Sequence, residues 1–169
     1  MNNLQTQVAD WVATLNLNQW IIDQQIKGLT HADSLRPLPF RGNRLNWILG
    51  HLAEHRDWML RAVDAKTLMP AKEAMRYRRG SEPLTDDSDV VEMATLVGYL
   101  EEAKGTLLTA VQAAGDSFLL EKPETGLLLE SMRDRTRLQR LQGLLWHETY
   151  HVGQLELLRQ LTGTDDAIL

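Results

Sequence analysis

The sequence predicts an all-α protein, an antiparallel four-helix bundle, and three observations carry that prediction. Four stretches repeat apolar residues at three- and four-residue steps, the spacing that lines up side chains along one face of a helix. All five prolines (Pro37, Pro39, Pro70, Pro83 and Pro123) fall between those stretches, where they interrupt no helical hydrogen bond. Four amphipathic helices in 169 residues bury their apolar stripes most simply against one another, so residues 1–169 read as a single domain.

The first helix carries Leu4, Val8, Trp11, Val12, Leu15, Ile22 and Ile26 on one face, and Gly28 supplies its stop. Asn18 shares that face, either as a core amide with its own partner or as a group that approaches a site. The second helix, about Arg44 to Ala65, takes Asn43 as its cap and presents Leu45, Ile48, Leu49, Leu52 and Met59. The third opens near Asp89, with Glu92 at a variant of the capping-box spacing, carries Met93, Val97, Leu100, Leu107 and Val111, and closes at Gly115. The fourth, Asp134 to Thr162, presents Leu138, Leu141, Leu145, Val152, Leu155 and Leu158 ahead of Gly163.

Two connections are long for a compact bundle: Lys66 to Ser88 between helices two and three, and Asp116 to Arg133 between helices three and four. Ordered connections of that length usually cover a site or meet a partner. The later one flanks Lys122-Pro123-Glu124-Thr125-Gly126 with Phe118-Leu119-Leu120 and Leu127-Leu128-Leu129, the pattern of a short hairpin. The earlier one gathers Lys66, Lys72, Arg76, Arg78 and Arg79 around Tyr77, a run that is either solvated or placed to receive an anionic ligand.

A net charge of -5 provides no overall basic field for a phosphate backbone, so no nucleic-acid partner is expected. No apolar run approaches the roughly 20 residues of a membrane helix, and Met1 to Gln7 lack the regions of a secretory signal. A cytoplasmic location without membrane contact is the expectation. The chain has no cysteine, which excludes thiolate ligands and a thiol nucleophile of its own, so any thiol chemistry uses a substrate's sulfur.

The sharpest local pattern is His147-Glu148-Thr149-Tyr150-His151, whose i, i+4 histidines stand about one turn apart on one helix face and can converge on one ion. Leu144, Trp146, Val152, Leu155 and Leu158 make the surroundings apolar, so the imidazoles need partners, and Gly153 suggests the close approach of a neighbouring helix. On helix two, His51 lies in Trp47-Ile48-Leu49-Gly50-His51-Leu52-Ala53, a run too apolar for a surface residue. His55 competes for the role of third ligand, but Glu54, Arg56 and Asp57 place it in more polar company, and His51 is preferred. His31 reads as a solvated loop residue. Three neutral imidazoles suit zinc or nickel and leave an open position for water or a substrate thiolate.

The same string matches the His-Glu-x-x-His of metalloproteases, with Glu148 as the general base. Its surroundings disagree: Gln154 and Leu157 stand where the extended motif has glycine and histidine, Glu156 is too near to be a downstream ligand, and no sheet is evident to hold a peptide. Glu148 is then a candidate catalytic residue that accepts a proton or orients a ligand histidine, or it forms a surface ion pair with an arginine one turn away. Gln154 either reaches toward the ion or packs as an amide.

In these residues the chain resembles the DinB/YfiT-like family of metal-binding four-helix bundles. Gly50-His51-Leu52 is similar to the family's helix-two signature, and His147-Glu148-Thr149-Tyr150-His151-Val152-Gly153-Gln154-Leu155 to that of its last helix. The resemblance extends in helix count and order over essentially the whole chain. It implies His51, His147 and His151 as ligands of one divalent metal, and a homodimer. Members with known activity use small thiols, as S-transferases of the bacillithiol type or as mycothiol-dependent maleylpyruvate isomerases. For this chain the resemblance implies a metal-dependent transferase that activates a low-molecular-weight thiol for attack on an electrophile. A stress-associated protein that binds metal or a small ligand without turnover, and a metal-dependent hydrolase, remain as alternatives.

Overall fold

The computed structural model describes residues 3–84, 89–124 and 130–164. Among them every regular element is helical: α1 (Asn3–Ile26), α2 (His31–Ser34), α3 (Leu45–Ala62), α4 (Ala71–Tyr77), α5 (Met93–Ala113), α6 (Asp116–Leu120), a 3-10 turn (Glu130–Met132) and α7 (Arg137–Gln160). The long helices α1, α3, α5 and α7 occupy the four periodic stretches, and the short ones lie in the connections. No helix of the described residues is long and apolar enough to cross a membrane.

The helix ends follow local chemistry, not always as expected. Gly28 and Gly163 have φ of 79° and 84°, left-handed conformations that suit glycine just beyond α1 and α7. α7 is capped by Thr136, whose hydroxyl accepts from Gln139 N (3.2 Å) while Gln139 Oε1 accepts from Thr136 N (2.9 Å). The cap position of α3 is Arg44 instead of Asn43; its side chain leaves the helix end and donates to Leu35 O (2.8 Å). Asp89 has φ of 57° and pairs with Lys72 (3.2 Å), so it stands outside α5 and forms no capping box. That helix start is held by His31, whose Nδ1 accepts from Met93 N (3.2 Å), so His31 is a structural tie instead of a solvated side chain.

The anticipated hairpin is also revised. Phe118-Leu119-Leu120 is helical in α6, with Leu119 buried and the Arg137 guanidinium 4.2 Å above the Phe118 ring. Gly115 is the N-cap of that helix, and Leu127-Leu128-Leu129 lies outside the described residues.

Packing centres on α3, which lies against α5 and α7, while α1 lies against α7 and α5. One apolar cluster joins Ile22, Leu49, Leu52, Leu96, Leu100 and Leu155; a second joins Trp11, Leu15, Met59, Leu107, Val111 and Leu141. Bonds between helices give their directions. Gln7 meets Gln142, Asn18 meets Thr149, and Gln25 meets Arg159, so α1 and α7 run the same way. Asn46 meets Val91 and Arg56 meets Leu100, so α3 and α5 also run the same way. Arg56 meets Glu148 while Ala62 meets Arg137, so α3 and α7 run oppositely. The antiparallel expectation therefore does not describe every neighbouring pair; the long crossover at residues 63–92 brings α5 back alongside α3.

All four long helices meet at Arg56, which is fully buried. Its Nε and one terminal nitrogen donate to the two Glu148 oxygens at 2.9 Å each, in a bidentate pair. The other terminal nitrogen donates to Gln19 Oε1 and Leu100 O, and Asn18 Nδ2 adds a bond to Glu148 Oε1 (3.3 Å). Asn18 is thus a partnered core amide. Removing one member of a buried pair leaves the other charge uncompensated, at a cost of about 3–5 kcal/mol, whereas apolar replacement of both is much milder. In urea unfolding, Glu148→Leu is expected to lose stability on that scale, and Arg56→Met combined with Glu148→Leu to regain part of it. Additive losses in the double-mutant cycle would contradict the pairing.

Candidate metal centre

The turn spacing of α7 places His147 and His151 on one face, half-buried, and α3 places the buried His51 opposite them. One ligand atom from each of the three lies within 4.8 Å of the others. His147 Nε2 and His151 Nε2 are 3.2 Å apart. Two nitrogens bound at 2.0–2.1 Å to a tetrahedral ion would stand about 3.3 Å apart, so this separation suits a shared metal. The ring centroid of His51 lies 5.3 Å from that of His147 and 4.8 Å from that of His151.

Two of the rings are held from behind. His51 Nδ1 donates to Tyr77 O (2.7 Å), which leaves the Nε2 lone pair free, and Trp47 stacks on the same ring at 4.7 Å. His151 Nδ1 donates to Gln154 Oε1 (2.7 Å), which leaves Nε2 unprotonated, its lone pair facing His147 Nε2. Gln154 therefore orients the His151 ring from behind, instead of reaching toward the ion or packing as a bystander amide. His147 Nδ1 is buried without a hydrogen-bond partner among the described residues. Burial pushes His51 and His147 down to about 4 and lowers His151 as well, so at neutral pH the three rings are uncharged donors. This donor set fits a divalent transition metal.

Glycine beside a histidine has different meanings at the two places. A Cβ on Gly50 would run into the Tyr77 ring, so its absence lets α4 close on α3 and bring the Tyr77 carbonyl to His51. The Tyr77 hydroxyl completes the clamp, donating to Asn46 Oδ1 and accepting from Val91 N, both at 2.9 Å. Gly153, by contrast, is exposed, and among the described residues nothing lies near its Cβ position and no neighbouring helix approaches. Trp146 also faces outward, 72% exposed, so it is not part of the apolar core around the histidines.

Glu148 follows His147 but its oxygens are taken up by Arg56 and Asn18; its partner is a buried arginine of α3, not a surface one on its own helix. His55 departs furthest from its expected polar setting. It is 2% exposed, its ring stacks on His147 at 3.8 Å, and burial holds its basicity far below the ordinary range. Its i+4 spacing from His51 was the one sequence signal of this placement. Of the basic run at residues 66–79, Lys72 pairs with Asp89 and Arg76 donates to Glu82 O (2.8 Å), while the charge of Arg79 reaches His55 and His147 and disfavours their protonation. A cleft of about 320 Å³ has His151 and Gln154 on its wall together with apolar Leu38, Phe40, Ile48 and Tyr150.

Gly50→Ala is expected to push Tyr77 from α3 and weaken metal binding by about 10–100-fold, the usual effect of losing a group that orients a ligand. Tyr77→Phe keeps the ring and the carbonyl, so it should lower stability by about 1 kcal/mol while leaving metal affinity in place. Calorimetric titration of the two variants with zinc separates these outcomes; equal affinities would remove the orienting role.

No curated protein matches the chain. The sequence pattern of the DinB superfamily matches residues 5–155, a span that holds all three converging histidines and all four long helices but for a few end residues. The chain belongs to the DinB superfamily.

Proposed function

We propose that this protein is a four-helix bundle that holds one zinc or nickel ion on His51, His147 and His151 and works as a thiol transferase. The carrying observation is the convergence of three uncharged imidazoles, two with their second nitrogen already committed to Tyr77 O and Gln154 Oε1. The ion would supply Lewis acidity at its open position, lowering the pKa of a small-molecule thiol so that it is held as a thiolate.

The chain's own residues would perform the rest. Tyr77 and Gln154 fix the ring orientations, and the apolar wall of Leu38, Phe40, Ile48 and Tyr150 receives the electrophile beside His151. The positive charge of Arg79 would attract an acidic thiol. Glu148, saturated by Arg56 and Asn18, supports the reading of a positioning residue that locks the turn bearing His147, in preference to a proton acceptor. A cytoplasmic homodimer is part of the same proposal, with Trp146 and Tyr150 offering exposed aromatic surface on α7.

Cobalt-substituted protein of verified occupancy provides the test. Addition of small thiols should change its visible spectrum and introduce sulfur-to-cobalt charge transfer, and one thiol of the panel should be conjugated to an electrophile. A spectrum indifferent to every thiol, with no conjugation, would overturn the transferase reading. Hydrolysis of model esters or amides without added thiol would favour a bound water as the nucleophile instead.

A further inference from the structure

Behind the three converging histidines, α3 carries a second group of buried donors that nothing in the described structure satisfies. His55 is 2% exposed and neither of its nitrogens has a hydrogen-bond partner. Glu54 is 7% exposed; its Oε1 accepts from Trp58 Nε1 (2.6 Å), while its Oε2 is buried and unpartnered. That oxygen lies 4.0 Å from His55 Nε2, beyond hydrogen-bonding reach. Together with His51, their ligand atoms fall within 4.8 Å of one another. Buried polar atoms normally find partners, so three orphans in one place need a physical reason. A cation between them takes one His55 nitrogen and the free Glu54 oxygen together, and the carboxylate compensates its charge.

We propose that His51, Glu54 and His55 form a second, inner position for a divalent transition metal. The inference rests on the metal-site reading above, because both positions use His51. That ring has only Nε2 to offer, since Nδ1 is committed to Tyr77 O. One ion therefore occupies one position or the other. The two differ in chemistry and in access. The outer position has three neutral nitrogens and adjoins the cleft at His151. The inner one has two nitrogens and a carboxylate oxygen, a harder set that also accepts manganese or ferrous iron, and its three donors are more than nine-tenths buried. An ion in the inner position is withdrawn from substrate, so exchange between the two would set how much of the bound metal can react.

The test is cobalt titration of the full chain, with metal analysis after dialysis and circular dichroism to verify folding. His147→Ala combined with His151→Ala removes the outer position and should retain one ion per chain, bound more weakly and with an altered visible spectrum. Adding either Glu54→Gln or His55→Phe to that pair should abolish the remaining binding. A folded double variant without metal, or retained metal that is indifferent to Glu54→Gln and His55→Phe, would overturn the inner position. The converse variant, Glu54→Gln with His55→Phe, keeps the outer position and should still bind one ion. If instead it binds none while the His147/His151 variant binds at full strength, the outer reading fails and the inner one stands. Should the His147/His151 variant not fold, Glu54→Gln alone in the otherwise unaltered chain is expected to shift the cobalt spectrum, and an unchanged spectrum would overturn the proposal.

Discussion

Arg56 and Glu148 pair in a bidentate contact at the level where all four long helices meet, and the placement of those helices turns on it. A fully buried guanidinium is tolerable only if its donors are satisfied, and here they are met by groups from the three other long helices: Gln19 of α1, Leu100 of α5 and Glu148 of α7. The apolar clusters on either side of this layer supply most of the burial, but apolar packing tolerates small rotations and slides. The charged pair does not, because displacement leaves a charge without its partner in a low-dielectric interior.

This constraint reaches the metal centre through the chain itself. Arg56 immediately follows His55, and Glu148 immediately follows His147, so pairing them fixes the rotation at which α3 and α7 present their histidines to each other. A second restraint on α3 comes from α4. Gly50 admits the Tyr77 ring, the Tyr77 hydroxyl is held by Asn46 and Val91, and the Tyr77 carbonyl turns His51. The centre is therefore held between a polar layer in the core and a clamp contributed by the residue 63–92 connection. That connection looks like a cover in the sequence, and it also allows α5 to run in the same direction as α3.

What was legible in the sequence follows from the range of each signal. Periodicity reports which face of a helix is apolar, and it located all four long helices; the i, i+4 spacing located the pair on α7. Neither signal reports what lies across the interface. The partner of Glu148 is 92 residues away, beyond the reach of any local pattern, so the surface-pair alternative names the wrong arginine and the wrong setting. The charged neighbours of His55 in sequence suggest a polar setting, yet Arg56 and Asp57 are themselves buried and engaged, Asp57 with the Leu68 and Met69 amides. Gly50 and Gly153 look equivalent in sequence and differ entirely in space, because only Gly50 has a ring against it. Asn43 and Asp89 have the chemistry of caps, but Arg44 and Glu92 hold the N-cap positions.

His51 is common to both proposed metal positions, so retention of any ion at the converging histidines depends on it. The most direct measurement is the metal content per chain of the purified protein and of His51→Ala, both reloaded with zinc, dialysed to equilibrium and checked for folding. One ion per chain is expected in the unaltered protein and none in the folded variant; an undiminished stoichiometric ion in folded His51→Ala would rule out a histidine-held metal.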